Sequence, residues 1–122
     1  MSFHFVGIDH VQLAGPPQCE ETARRFYGEI LGWVELPKPE HLRRRGGLWF
    51  QCGAQQVHIG IQKDFTPATK AHPAFYVRDI QALREHVIKN GLDPIEDEPL
   101  PGADRFYLTD PFGNRLEFLE WL

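Results

Sequence analysis

The sequence predicts an α+β fold, built from two copies of one strand–helix–strand–strand–strand unit packed as a single domain over residues 1–122. Three observations lead there. The chain has 122 residues, the size of one ordinary domain with a real core. The order of strand-like and helix-like segments in its first half recurs in its second. Strand alternation then places four ionisable side chains at matching positions of the two halves.

The first unit covers about residues 5–62. FVGIDHVQLA (5–14) mixes β-branched and apolar residues with polar interruptions and reads as a strand that Pro16-Pro17 end. Residues 18–31 read as a helix: Phe26, Ile30 and Leu31 mark one face, and Gly32 supplies the stop. WVEL (33–36) is a short strand, and PKPEHLRRRGG (37–47) a loop whose Arg43-Arg44-Arg45 run reads as a solvated face. LWFQC (48–52) and QVHIGI (56–61) are strands joined by a hairpin-sized link, Gly53-Ala54-Gln55. A second loop, 62–70, leads to the other unit, about 71–121. HPAFYV (72–77) is its first strand and residues 79–90 its helix, closed by Asn90-Gly91. PIEDEP (94–99) is an edge-like strand between prolines. RFYLTD (105–110) and RLEFLEW (115–121) close the chain around the Pro111-Phe112-Gly113-Asn114 turn.

Composition narrows the function classes. A net charge of −4 and a pI near 5.8 give no electrostatic reason to expect nucleic acid or an anionic membrane as partner. No apolar run reaches the roughly 18 residues of a membrane span, and the N-terminus lacks signal-peptide character. Cys19 and Cys52 are isolated and read as small buried hydrophobes in a reduced, cytoplasmic protein.

Alternation sorts the candidate site. In QVHIGI, Val57, Ile59 and Ile61 share one face, opposite Gln56, His58 and Gly60. In RLEFLE, Leu116 and Phe118 face the helix and Glu117 faces away. His10 and Gln12 alternate with Val11 and Leu13, and His72 with Phe75 and Val77. Three imidazoles and a carboxylate on one face suit a divalent ion such as Zn, Ni, Fe(II), Mn or Co. A lone strand histidine is more often structural, so the coincidence of His10, His58, His72 and Glu117 carries the weight. Arg105 and Tyr107 share the parity of that face, Arg105 suited to an anionic substrate group and Tyr107 to donating a hydrogen bond. Trp33, Trp49 and Phe50 are candidates for an apolar wall of the site, although strand aromatics are more often core. His4, His41 and His86 have no matching places and read as surface or structural.

GIDHVQLA, FYGEILGW, QVHIGI, HPAFYV and above all RFYLTDPFGNRLEFLE resemble the vicinal oxygen chelate superfamily. This group includes glyoxalase I, extradiol dioxygenases, fosfomycin-modifying enzymes and bleomycin-resistance proteins. The resemblance runs over about residues 6–120. It implies two βαβββ modules cupped around a divalent metal, with His10, His72 and Glu117 at ligand positions and His58 where glyoxalase I carries a glutamate. That departure weakens an ordinary glyoxalase I reading. Glu117 becomes the candidate catalytic group, and Arg105, Tyr107 and Gln12 the candidate substrate contacts. The resemblance further implies a homodimer acting on a small oxygen-rich molecule by lyase, isomerase or oxygenase chemistry. The alternative is a metal-free binding protein of the bleomycin-resistance type.

Overall fold

The computed structural model describes residues 2–122. Alternating strands form two sheets. The first contains β1 (His10–Gly15), β2 (Val34–Leu36), β3 (Leu48–Cys52) and β4 (Gln55–Ile61), in the order β1-β4-β3-β2. The second contains β5 (Ala74–Tyr76), β6 (Ala103–Thr109) and β7 (Arg115–Trp121), in the order β5-β7-β6. In each unit the first strand lies parallel to the last, β1 on β4 and β5 on β7, and the other pairs are antiparallel. The repeat is therefore present in the topology. Within one chain the strands form two separate hydrogen-bonded sheets, with β1 and β2 at the edges of the first and β5 and β6 at the edges of the second.

The departures from expectation have local causes. Residues 5–9 make no ladder, because β4 offers partners only from Gln55 onward; Gln56 N reaches Asp9 O at 3.4 Å and pairing starts at His10. Residues 94–99 reduce to one bridge, Ile95 to Tyr107. Pro94 and Pro99 lack backbone donors, and Glu96-Asp97-Glu98 offer nothing apolar to bury. The 37–47 loop holds one helical turn, α2 (Glu40–Arg43). The first helix, α1 (Glu20–Ala23), widens to π-type turns over Arg24–Ile30, with Leu31 N bonded to Phe26 O at 3.0 Å. The wide turn suits the Phe26, Ile30, Leu31 spacing. Gly32, at φ +77°, ends it.

One buried cluster unites both halves. Phe26 and Tyr27 from the helix meet Phe50, Val57 and Ile59 of the first sheet; Ile80 and Val87 of α3 (Ile80–Lys89) meet Phe106, Leu116 and Phe118 of the second. The sheets turn their apolar faces to this common core and their polar faces outward. Arg84 fastens α3 to β6: it lies 5.1 Å over the Phe106 ring and donates to Asp104 at 2.8 and 3.2 Å. At its start, Glu120 of β7 accepts from the backbone N–H groups of Asp79 and Ile80, both at 3.0 Å.

A buried polar knot joins the halves. Asp110 accepts from the Tyr27 hydroxyl at 2.5 Å, from the Phe112 and Asn114 backbone at 2.9 and 2.8 Å, and from the Asn114 side chain at 2.9 Å. Asn114 also donates to Ala14 O of β1 at 2.7 Å. Tyr27→Phe keeps the ring and removes one bond to a buried carboxylate, so urea denaturation is expected to show a loss of about 1–3 kcal/mol.

The Arg84 contact has a pH signature. Its hydrogen bonds to Asp104 hold that carboxyl below its ordinary value. A depressed folded-state pKa contributes stability above the unfolded value, lost as pH falls through the folded one. Arg84→Met should therefore lower stability at neutral pH and flatten its decline between about pH 5 and pH 3, read by urea denaturation across that range.

Candidate metal centre

The outer face of the first sheet carries a stack of three rings. His58 lies between His10, with centroids 4.2 Å apart and planes 17° from parallel, and Trp49, at 4.3 Å and 8°. Trp49 is there because the hairpin register places it directly opposite His58. The sandwich buries His58 to 6% exposure although it points away from the core. Its Nε2 lies 2.9 Å from Gln56 Oε1, which as a carbonyl-type oxygen must accept. Burial, then the neighbouring His10 and Lys38 charges, lower its pKa, and Asp9 only partly offsets them. His10 Nδ1 faces Asp9 Oδ2 at 2.9 Å, which orients the ring and leaves Nε2 for another partner. Gln12 lies opposite His58 in the β1–β4 register, its amide occupying the space that a side chain at Gly60 would need.

The outer face of the second sheet carries the other group. His72 sits two residues before β5, outside the strand expected to contain it. Its Nε2 is 2.9 Å from Glu117 Oε1, and its Nδ1 is 3.0 Å from Lys70 O. Tyr107 lies opposite Glu117 across β6 and β7 and donates to the same Oε1 at 3.0 Å. Arg105 donates to the Tyr107 oxygen at 3.1 Å and stands 3.6 Å from Glu117 Oε2. The Arg115 guanidinium covers the Tyr107 ring at 4.2 Å. Burial pushes the Glu117 carboxyl up, but the His72 and Tyr107 hydrogen bonds and the Arg105 charge outweigh it, and the net shift is downward. Burial and Glu117 raise Tyr107, which keeps its proton. The buried Arg105 Nε has no partner.

These contacts test the fit of a divalent ion. Both ring nitrogens of His72 face acceptors, the Lys70 carbonyl and the Glu117 carboxylate. A neutral ring protonated at Nε2 donates to Glu117, and a divalent ion taking the place of that proton would be held by the same two atoms. The His72–Glu117 separation of 2.9 Å is that of a hydrogen bond, and both atoms are of types that would hold a divalent ion. The same test treats His58 differently. An imidazole binds a metal in its own ring plane, and two nearly parallel stacked planes share no nearby point. As stacked, His10 and His58 do not both reach one ion, and His58 supports His10 as a shelf.

The structure thus brings His10 together with His58, and His72 with Glu117, Tyr107 and Arg105, but it does not join the two groups. Among the described residues no three His, Cys, Asp or Glu side chains form a cluster able to hold a metal. The sequence ranks a core position for Trp49 above a wall of the site and assigns Arg45 to a solvated face, whereas both line the cavity over His10 and His58. Cys19 and Phe50 are core as expected.

Comparison with known proteins fixes the family. A family model described as a glyoxalase-like domain matches residues 17–119. The chain belongs to the glyoxalase-like domain family. A glyoxalase family protein from Bacillus anthracis is 53% identical over 100% of both chains, with a TM-score of 0.97. Two more distant structures share the fold. Lactoylglutathione lyase from Agrobacterium tumefaciens is 19% identical, covering 94% of this chain and 93% of its own, at TM-score 0.75. A variant of the fosfomycin resistance protein FosX from Listeria monocytogenes, solved with Mn(II) and dihydroxypropylphosphonic acid, is 15% identical, covering 98% and 95%, at TM-score 0.79. No curated protein sequence matches the chain. This glyoxalase-like chain is thus a member of the vicinal oxygen chelate superfamily, with its α+β fold. No helix among the described residues is long and apolar enough to cross a membrane.

The stack makes a measurable statement about His58. In metal-free protein its ring should stay neutral to lower pH than a free imidazole, and Lys38→Met, which removes a nearby positive charge, should move its titration upward. Histidine side-chain NMR across pH 4–8 reads both.

Proposed function

We propose that this glyoxalase-like protein is a divalent-metal enzyme acting on a small oxygen-rich substrate, with each site completed by two copies of the chain. The observation that carries the reading is the His72–Glu117 pair, an imidazole nitrogen 2.9 Å from a carboxylate oxygen, both of them ligand atoms suited to a divalent ion. His72 and Glu117 of one copy and His10 of the other would form a two-histidine, one-carboxylate set suited to Mn, Fe(II), Ni, Co or Zn. His58 joins that set only if its ring turns out of the stack.

The homodimer is supported by what one chain leaves unfinished. His10 stands on the edge strand β1, and His72 lies just before the edge strand β5. The segment before β1 exposes Phe3, Phe5, Val6 and Ile8, with Phe5 at 92% and Val6 at 101%. Apolar side chains left open beside an unpaired strand edge are what a second subunit covers.

The bound metal would supply Lewis acidity to vicinal substrate oxygens. The residues then divide the remaining work. Arg105, with its unpartnered buried Nε, and the protonated Tyr107 hold and orient substrate oxygens. Gln12 lies beside the other half-site as a further polar contact. Glu117 is the candidate to move a proton, and its depressed pKa makes it a weak base until the Tyr107 and His72 hydrogen bonds let go. His58 in place of a fourth-strand glutamate disfavours the glyoxalase I reaction itself and leaves other lyase, isomerase or oxygenase chemistry on a three-ligand centre. The cytoplasm is the proposed compartment, in keeping with two unpaired cysteines.

Elemental analysis after reconstitution should find close to one Mn, Fe, Ni, Co or Zn ion per chain. His72→Ala and Glu117→Ala should lose it, with affinity lower by at least about tenfold, while His58→Ala should retain most of it. Sedimentation should show a dimer. Wild-type protein that takes up no divalent metal, yet binds a small ligand tightly by calorimetry, would establish the metal-free sequestering alternative instead.

A further inference from the structure

We infer that the Pro37–Gly47 segment is an anion-binding wall of the cavity over His10 and His58, in which Lys38 and Arg45 fix a carboxylate or phosphoryl group on the substrate's far end. As a substrate subsite this rests on the enzyme reading above; as an anion site it stands on these residues alone. A cavity of about 480 Å³ opens over His10, His58 and Trp49, and Lys38 and Arg45 line its far side. Among the described residues neither cation forms an ion pair. The one carboxylate lining the cavity, Asp9, is held by His10 at 2.9 Å. A chain of net charge −4 thus keeps two uncompensated cations facing its candidate metal half-site.

The wall is placed rather than free. Gly46 and Gly47 take φ of +73° and +88°, and a Cβ at Gly47 would come within 2.3 Å of Ile59 O. That close approach seats the segment against β4. Gly47 N donates to Glu20 Oε2 at 3.1 Å, Arg43 Nε to Lys38 O at 3.2 Å, and Lys38 Nζ to Gly46 O. Lys38 therefore has its ammonium anchored with two further N–H donors available, and Arg45 brings a guanidinium fork to the lining of the same cavity. Chelated oxygens at the metal and an anionic group at this wall describe one class of substrate: a small oxygen-rich acid or phosphoryl compound.

The test uses metal-free protein titrated with inorganic phosphate and, separately, with malonate, followed by the ring resonances of His10 and His58. Saturable shifts are expected, weakened about tenfold or more in Lys38→Gln and in Arg45→Gln, the loss of one charge-assisted hydrogen bond each. Arg44→Gln, outside this cavity, should bind as wild type. Tighter binding of phosphate assigns a phosphoryl group, tighter malonate a carboxylate, and equal binding the shared anion chemistry. No saturable shift with either anion, or an unchanged affinity in the Lys38→Gln/Arg45→Gln double variant, overturns the inference. Metal uptake measured on the same samples separates the two readings: uptake without anion binding rejects this wall alone, and anion binding without uptake rejects the enzyme reading alone.

Discussion

The placement of the candidate site residues depends on the knot around Asp110. One buried carboxylate takes hydrogen bonds from Tyr27 in the first unit and from its own turn in the second, while Asn114 reaches across to β1. An unsatisfied carboxylate there would be costly, so the turn, the helix and β1 are held as one body. Holding them so packs the two units through their helices and apolar faces. The polar faces of both sheets must then point outward. That single choice explains why the His10–His58 stack and the His72–Glu117 pair lie on separate outward faces of one chain.

Much of this was legible in the sequence because period-two alternation is a strong constraint. Val57 and Ile59 had to face the core once β4 was a strand, which sent His58 the other way; Leu116 and Phe118 did the same for Glu117. The ring stack was hidden by a single residue. A three-residue link, Gly53-Ala54-Gln55, would have paired Phe50 with His58. The actual turn is Gly53-Ala54, with Cys52 opposite Gln55, and it sets Trp49 there instead. Gly53 at φ +58° is the residue that permits the shorter turn.

Other features depended on tertiary neighbours that no local pattern encodes. The widened helix at Arg24–Ile30 answers to packing against Phe50 and Trp33 rather than to propensity. The 37–47 segment has the composition of a solvated loop, and only the close seating of Gly47 on Ile59 O turns its cations toward a cavity. Residues 5–9 carry a strand's composition without a strand's partner, because the edge they would extend is not met within the same chain.

The separation of His10 from His72 and Glu117 has a consequence for inheritance of defects. Under the proposed pairing, each site draws on two chains, and each chain serves two sites. A chain damaged at His10 and a chain damaged at Glu117 would be inactive alone. Mixed, they would form some dimers in which one site collects both lesions and the other collects none. Two faulty alleles could then complement each other, an outcome closed to a protein that assembles its whole centre from a single chain.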